Sequence, residues 1–117
     1  MHIEKASSVV EEGWCIGPWN SSVSISVGLA NQGKNQPHYH ERITEIYMVA
    51  RGNVDVRVEQ ETVHLVQNDV LVIEPGEAHT FLAASADYFH FVVHTPGLPD
   101  GETRADKVRV KRSRLGL

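Results

Sequence analysis

No segment of ten or more residues in this chain carries an apolar stripe at a 3.6-residue spacing, so no long helix can bury one face against a core. What recurs instead is alternation with a period of two. Ser22 to Leu29 reads Ser-Val-Ser-Ile-Ser-Val-Gly-Leu, which predicts a strand with Val23, Ile25, Val27 and Leu29 on an inward face and the serines in water. Val54, Val56 and Val58 alternate with Asp55, Arg57 and Glu59, then Gln60 and Glu61 turn the chain and Val63 and Leu65 return it as a hairpin. Val70 to Ile73 is a continuous apolar run between Asn68-Asp69 and Pro75-Gly76, the pattern of a strand buried on both faces. Val9 to Ile16 reads as a first strand, followed by a Gly17-Pro18 turn that Trp14 and Trp19 flank, and large aromatics there are expected to close one end of the core. The chain is therefore expected to be all-β, with turns frequent enough for a barrel or sandwich.

A length of 117 residues supports one core and not two, so a single domain is expected, with its barrel over about residues 9–95 and a C-terminal extension over 96–117. With 41% hydrophobic and 22% charged residues the composition is that of a globular protein, and no apolar run approaches the roughly 20 residues that cross a bilayer. Met-His-Ile-Glu-Lys is not followed by an apolar leader segment, and Cys15 has no second cysteine to pair with; both suit a reducing, cytoplasmic setting. The net charge of -4 hides an asymmetry: from Glu102 onward six basic residues face only Glu102 and Asp106, while the body before them is acidic. A nucleic-acid surface is normally backed by a basic body, so the tail reads as a solvated or intersubunit segment and no nucleic-acid or membrane partner is expected.

The chemistry concentrates between Gly33 and Gly52. His38 and His40 are two apart, so on a strand both imidazoles project from one face and can converge on one point. Glu45 has the wrong parity to join them on a continuous strand, which requires a turn near Glu41 to Thr44 and places Glu45, Tyr47 and Val49 together on the next strand. A further imidazole follows a second turn: in Glu74-Pro75-Gly76-Glu77 the proline and glycine suit the central positions of a type II turn, and His79 opens the strand after it. Taken alone, His38-Tyr39-His40 is as compatible with two surface histidines as with a site. Three imidazoles and one carboxylate held by two sharp turns, however, form a nitrogen and oxygen donor set for a divalent transition metal.

Here the sequence resembles the cupin superfamily. Gly33, His38, His40, Glu45 and Gly52 fall on that family's first motif, and Pro75, Gly76 and His79 on its second, with the resemblance spanning about residues 23–95. Three positions depart from it: Asn68 stands where glycine is usual, Glu74 where a proline is, and Ala83 where an asparagine often is. The resemblance implies a jelly-roll (double-stranded β-helix) barrel of the small single-domain type, with one metal ion, Fe, Mn, Ni, Zn or Cu, held by His38, His40, Glu45 and His79. It also implies a small-molecule ligand or substrate. Parity with Glu45 and His79 directs Tyr47 and Phe81 into the same pocket, Tyr47 with a phenol able to donate a hydrogen bond to a bound anion and so a candidate catalytic residue. The alternative for Tyr47 is a barrel-filling aromatic.

On Tyr88 to His94 both faces are half apolar, so parity does not decide whether His90 and His94 look inward as proton donors or outward as surface histidines, and the outward arrangement is the commoner one. His64 reads as a solvent-facing histidine outside the site. Two functions of different class remain: a small metalloenzyme, dioxygenase-like or else an isomerase or decarboxylase, acting on an oxygen-rich molecule; or a non-catalytic module that binds a sugar or acid. A sensor normally needs an output domain and 117 residues leave no room for one beside the barrel, which favours the enzyme. Exposed strand edges, two N-terminal tryptophans and a basic tail beside an acidic body predict a homodimer.

Overall fold

The structure is a computed structural model that describes residues 1–5 and 11–117. Among the described residues, ten strands are arranged as two antiparallel sheets of five. In chain order they are β1 (Glu12–Ile16), β2 (Ser26–Ala30), β3 (His38–His40), β4 (Thr44–Arg51), β5 (Asn53–Val58), β6 (Glu61–Val66), β7 (Val70–Ile73), β8 (His79–Ala84), β9 (Phe89–Thr95) and β10 (Lys107–Arg109). One sheet has the order β1-β2-β9-β4-β7 and the other β10-β3-β8-β5-β6. They form a jelly-roll-like sandwich rather than a barrel, because no backbone ladder joins one sheet to the other. Residues 9 and 10 of the expected first strand lie outside the described residues.

The core fills the space between the sheets, with Val49 and Ile73 contributed by one sheet and Val54, Val56, Leu65 and Phe81 by the other. The turns hold as the residue types require. Gly76 has φ 84° and the Glu77 N–H donates to the Glu74 carbonyl at 3.1 Å, as a type II turn demands; Asn68 takes the left-handed region at φ 75°. The β5–β6 hairpin turns one residue earlier than expected, through Glu59 (φ 49°) and Gln60, with Glu61 already in β6. His64 is exposed and pairs with Asp55 across that hairpin at 2.7 Å.

Three expectations are corrected. β7 is the edge of its sheet, so only Ile73 is buried while Val70 and Val72 stand 59% and 48% exposed on the outer face. β2 begins only at Ser26, and of the residues expected on its inward face Leu29 alone is buried. Ser26 and Gly28 sit opposite His94 and Val92 on the inward side, whereas Val27 opposes Val93 on the outer side and Val23 is exposed. Space is short on that side: a Cβ on Gly28 would lie 2.9 Å from the Trp14 ring, and Ser26 lines a second cavity beside Trp14 and His94. Trp14 and Trp19 are 43% and 49% exposed and do not close the core. Ala83 is likewise exposed, although Phe81 on its face is buried.

The basic tail is also not a solvated arm. A seven-residue helix α1 (Asp100–Asp106), too short to show as a periodic stripe, leads into β10, which adds to the edge of β3. A final 3₁₀ turn, Arg112–Leu115, plugs fully buried Leu115 into the domain. Arg57 Nε donates to the Leu115 carbonyl at 2.8 Å, Gln60 Nε2 to the Arg114 carbonyl at 2.6 Å, and the Arg114 guanidinium pairs with Glu59 at 2.9 Å. If this anchor holds the C-terminal segment in place, Leu115→Ala costs about 2–4 kcal/mol of unfolding free energy, read from the urea midpoint, whereas a free tail would leave the midpoint unchanged.

Candidate metal centre

Strand pairing assembles the site before any side-chain chemistry is considered. His38 opposes His79 across β3 and β8, and Glu45 opposes His94 across β4 and β9, so each pair shares one face of its sheet. Both faces are interior. His38, His40, Glu45, His79 and His94 are all at most 5% exposed. The turn expected after His40 is present, and it is held from outside by the C-terminal segment. Asp106, 3% exposed, accepts from the Arg42 N–H at 3.0 Å and the Ile43 N–H at 3.2 Å. The Gly76 N–H donates to the His40 carbonyl at 2.8 Å, which ties the second turn to the first strand of the site.

The Glu45 carboxylate is divided between two environments. Its Oε2 accepts from the Tyr47 hydroxyl at 2.7 Å and lies 3.0 Å from His94 Nε2. Its Oε1 faces the Nε2 atoms of His79, His40 and His38 at 3.1, 3.5 and 4.0 Å. None of those three approaches has hydrogen-bond geometry, so Glu45 Oε1 and His79 Nε2 are buried polar atoms without a partner. Orphaned buried polar atoms are costly and call for an explanation. The imidazoles are oriented for one: Nδ1 of His38 is 2.6 Å from the Gln36 carbonyl and Nδ1 of His79 is 3.1 Å from the Glu77 carbonyl, which places those protons on Nδ1 and leaves lone pairs on Nε2. His40 Nδ1 has Asp106 Oδ2 at 3.3 Å.

Two triads that share Glu45, and not the four residues as one group, bring their donor atoms close enough to hold an ion. Two donors bound to one ion at about 2.1 Å each lie no more than about 4.2 Å apart, and every Oε1 to Nε2 separation is inside that limit. Two overlapping groups share the carboxylate: His38, Glu45 and His79, and His40, Glu45 and His94. Burial, reinforced by the neighbouring His79, pushes the His38 imidazole down to about 4, and burial lowers His40 as well, so both are neutral as ligation requires.

All four sequence-derived ligand candidates are thus gathered around one oxygen. Tyr47 lines the adjoining cavity, but its hydroxyl is engaged by Glu45. Phe81 was expected to line the same pocket and instead packs behind Tyr47, ring centres 4.9 Å apart, in the core. Gly33 permits this, since a Cβ there would overlap the Phe81 ring. The residues that the sequence reading left out are His94 and Asp106. The favoured outward placement of His90 and His94 is reversed: both are buried, and Phe91 faces out. A cavity of about 370 Å³ opens beside the carboxylate, with Trp14, Val92, His90 and Lys107 among its walls.

The fold and this buried histidine and carboxylate cluster define a jelly-roll domain with a candidate metal centre. A family profile described as Cupin domain matches residues 26–95, and the chain belongs to the cupin family. No curated protein matches the sequence. Among solved structures, the chain is similar to a protein from Planctomyces limnophilus (TM-score 0.67, 18% identity, 92% of this chain and 96% of that one). It is also similar to KdgF from Halomonas sp. (0.64, 21%, 78% and 81%). A third is Pac13, described as a unique nucleoside dehydratase and solved from Streptomyces with uridine (0.62, 15%, 93% and 92%).

His90 is buried outside the ligand cluster. Its Nδ1 is 2.6 Å from the Tyr88 hydroxyl, the Tyr47 and Phe81 rings pack on it, and burial pushes its imidazole down to about 4, with Glu45 opposing weakly. An unfolded chain protonates this histidine near 6.5, so acidification from there towards 4 favours unfolding, and the stability that neutral His90 contributes is fully present only above that range. In metal-free protein the urea midpoint should therefore fall between pH 7 and pH 4.5, and fall less in His90→Asn, which keeps an acceptor for Tyr88. An equal loss in the variant would remove His90 as a contributor.

Proposed function

We propose that this cupin is a metal-dependent enzyme in which His38, His40, Glu45 and His79 hold one divalent transition metal ion, Fe, Mn, Ni, Zn or Cu, and a small oxygen-rich molecule occupies the cavity beside it. The observation that carries this reading is Glu45 Oε1, buried without a hydrogen bond among three imidazole nitrogens. Such an ion, when bound, supplies Lewis-acid polarisation of a substrate oxygen or, as Fe(II), redox chemistry with dioxygen. Tyr47 and His94 hold the other carboxylate oxygen and keep Glu45 turned towards the histidines. Tyr47 is accordingly a positioning residue rather than a donor to substrate. Val92 and Trp14 restrict water on the apolar side of the cavity.

Between the reactions, proton transfer of the isomerase or decarboxylase kind is favoured over oxygenation. The cavity wall carries two imidazoles outside the proposed ligand set, His90 and His94, and a lyase or isomerase uses such groups whereas dioxygen activation does not require them. The fold neighbour Pac13, a nucleoside dehydratase, supports the cavity as a place for a small oxygen-rich molecule. Protein purified without added metal should contain about one transition-metal ion per chain. His79→Ala should lose it while keeping its far-ultraviolet spectrum, and Tyr47→Phe should bind it about 10-fold more weakly. Equal metal content in wild type and His79→Ala would sink the reading. Turnover of sugar acids, hydroxy acids or diketones that persists anaerobically supports proton transfer; strict oxygen uptake points to the dioxygenase; ligand binding without turnover under Fe, Mn, Ni or Zn points to a binding module.

We further propose a homodimer, on a surface other than the tail. The outer face of the β2-β9-β4-β7 sheet carries two apolar rows across the strands, Phe91-Met48-Val70 and Val27-Val93-Ile46-Val72. Phe91, Val70 and Val72 are 39–59% exposed there. A sheet face of this kind is the self-complementary patch that a two-fold dimer uses. Light scattering should return twice the monomer mass at micromolar concentration, and Val72→Lys should halve it; a monomeric wild type would refute the assignment.

A further inference from the structure

The chemistry proposed above leaves one wall of the cavity without a task, and that wall is built by the C-terminal segment. β10 runs antiparallel to β3 with Lys107 opposite His40, and directly opposed residues share a face, so the Lys107 side chain extends on the side of the imidazoles. It is half-buried and lines the cavity together with Thr103 from α1.

Its charge has no direct ion-pair partner among the described residues, and only the more distant Glu45 favours it. Lys107 Nζ donates to one group, the neutral amide oxygen of Gln36 at 2.9 Å, and among the described residues no carboxylate lies within ion-pair distance of it. Lys34, another cation of the wall, is paired with Glu12 at 3.2 Å. The Glu45 carboxylate is surrounded by its histidines and Tyr47. Burial, with Arg109 and Lys34 adding repulsion, lowers the Lys107 pKa, so the surroundings disfavour the ammonium as it stands and an incoming negative group would relieve them. The opposite side of the cavity, at Val92, Leu29 and Trp14, is apolar.

We infer that Lys107 receives the anionic oxyacid group of the molecule that occupies the cavity, which makes the substrate a small organic anion rather than a neutral sugar or nucleoside. At about 370 Å³ the space is near the lower end of small-molecule pockets, so the anion is of metabolite size. This inference rests on the reading of the cavity as a small-molecule site, but not on the metal. A carboxylate and a phosphate monoester share the required chemistry.

Titration calorimetry on matched probes tests it: galacturonate against galactose, lactate against propane-1,2-diol, and glycerol 3-phosphate against glycerol, each with metal-free and with Zn(II)-loaded protein. At least one acid should bind tenfold or more tightly than its neutral counterpart, and the pair with the larger ratio identifies carboxylate or phosphate as the source. Lys107→Met should bring that ratio below threefold with zinc content unchanged, and Lys107→Arg should keep it; if Lys107→Met does not fold, Lys107→Gln takes its place. The inference is overturned if no acid reaches tenfold preference in either form of the wild type, or if the preference survives loss of the Lys107 charge. A Lys107-dependent preference in protein that binds no zinc upholds the inference and removes the metal reading. Stoichiometric zinc without any acid preference does the reverse.

Discussion

The structure depends on how one carboxylate is shared. Glu45 is 3% exposed, and an ionised carboxylate at that depth is tolerable only when nearly all of its lone pairs are answered. Oε2 is answered within the protein by Tyr47 and His94. Oε1 is surrounded by nitrogens that carry lone pairs rather than protons, because the Gln36 and Glu77 carbonyls have fixed the protons of His38 and His79 on their far sides. Acceptors facing an acceptor make no sense as a finished hydrogen-bond network and good sense as the inside of a coordination sphere. A cation would answer these acceptors together, so the protein's own hydrogen bonds, and not only the spacing of the histidines, support the metal proposal.

Jelly-roll topology is what makes that carboxylate reachable from both sheets. Glu45 and His94 come from adjacent strands of one sheet, and His38, His40 and His79 from adjacent strands of the other. The cluster thus bridges the sandwich where no backbone ladder does, as a side-chain clasp between the two layers. The C-terminal segment then supports the clasp from outside, with Asp106 capping the turn after His40 and β10 covering the edge of β3. An edge strand that short would otherwise present unpaired backbone groups directly beside the site.

Much of this was legible in the sequence, and the failures have a common physical origin. The His38 and His40 pair, the turn before Glu45 and the Pro75-Gly76 turn before His79 rest on local geometry, which residue type dictates. Parity assignments rest on the assumption that apolar faces point inward and polar faces outward, and that assumption breaks where the interior is a polar cavity. Ser26 and Gly28 face inward on a side where space is short; His90 and His94 face inward because the site needs imidazoles; Val70, Val72 and Phe91 face outward on an apolar surface. In each case the hydrophobic pattern was inverted by function or by an unpartnered sheet face. The buried role of Asp106 was invisible for a different reason: it lies 64 residues from Arg42, whose amide it caps, and no local signal reports such a contact.

Charge counted along the chain also limited the reading of the tail as a solvated or intersubunit segment. Six basic residues near a C-terminus look like a solvated or docking segment when charge is counted along the chain. In three dimensions they divide by face. Arg114 is held against Glu59 and the Tyr39 ring beside the buried Leu115 anchor, while Lys107 is brought by cross-strand pairing to the cavity side of β3. Cross-strand pairing along β10, and not position in the sequence, sets where Lys107 lies: it and Arg109 fall opposite His40 and His38, with Val108 on the other face. A half-buried cation delivered that way to a partly apolar cavity is costly without a direct ion-pair partner, and that cost is the link between the tail's composition and the anionic ligand inferred above.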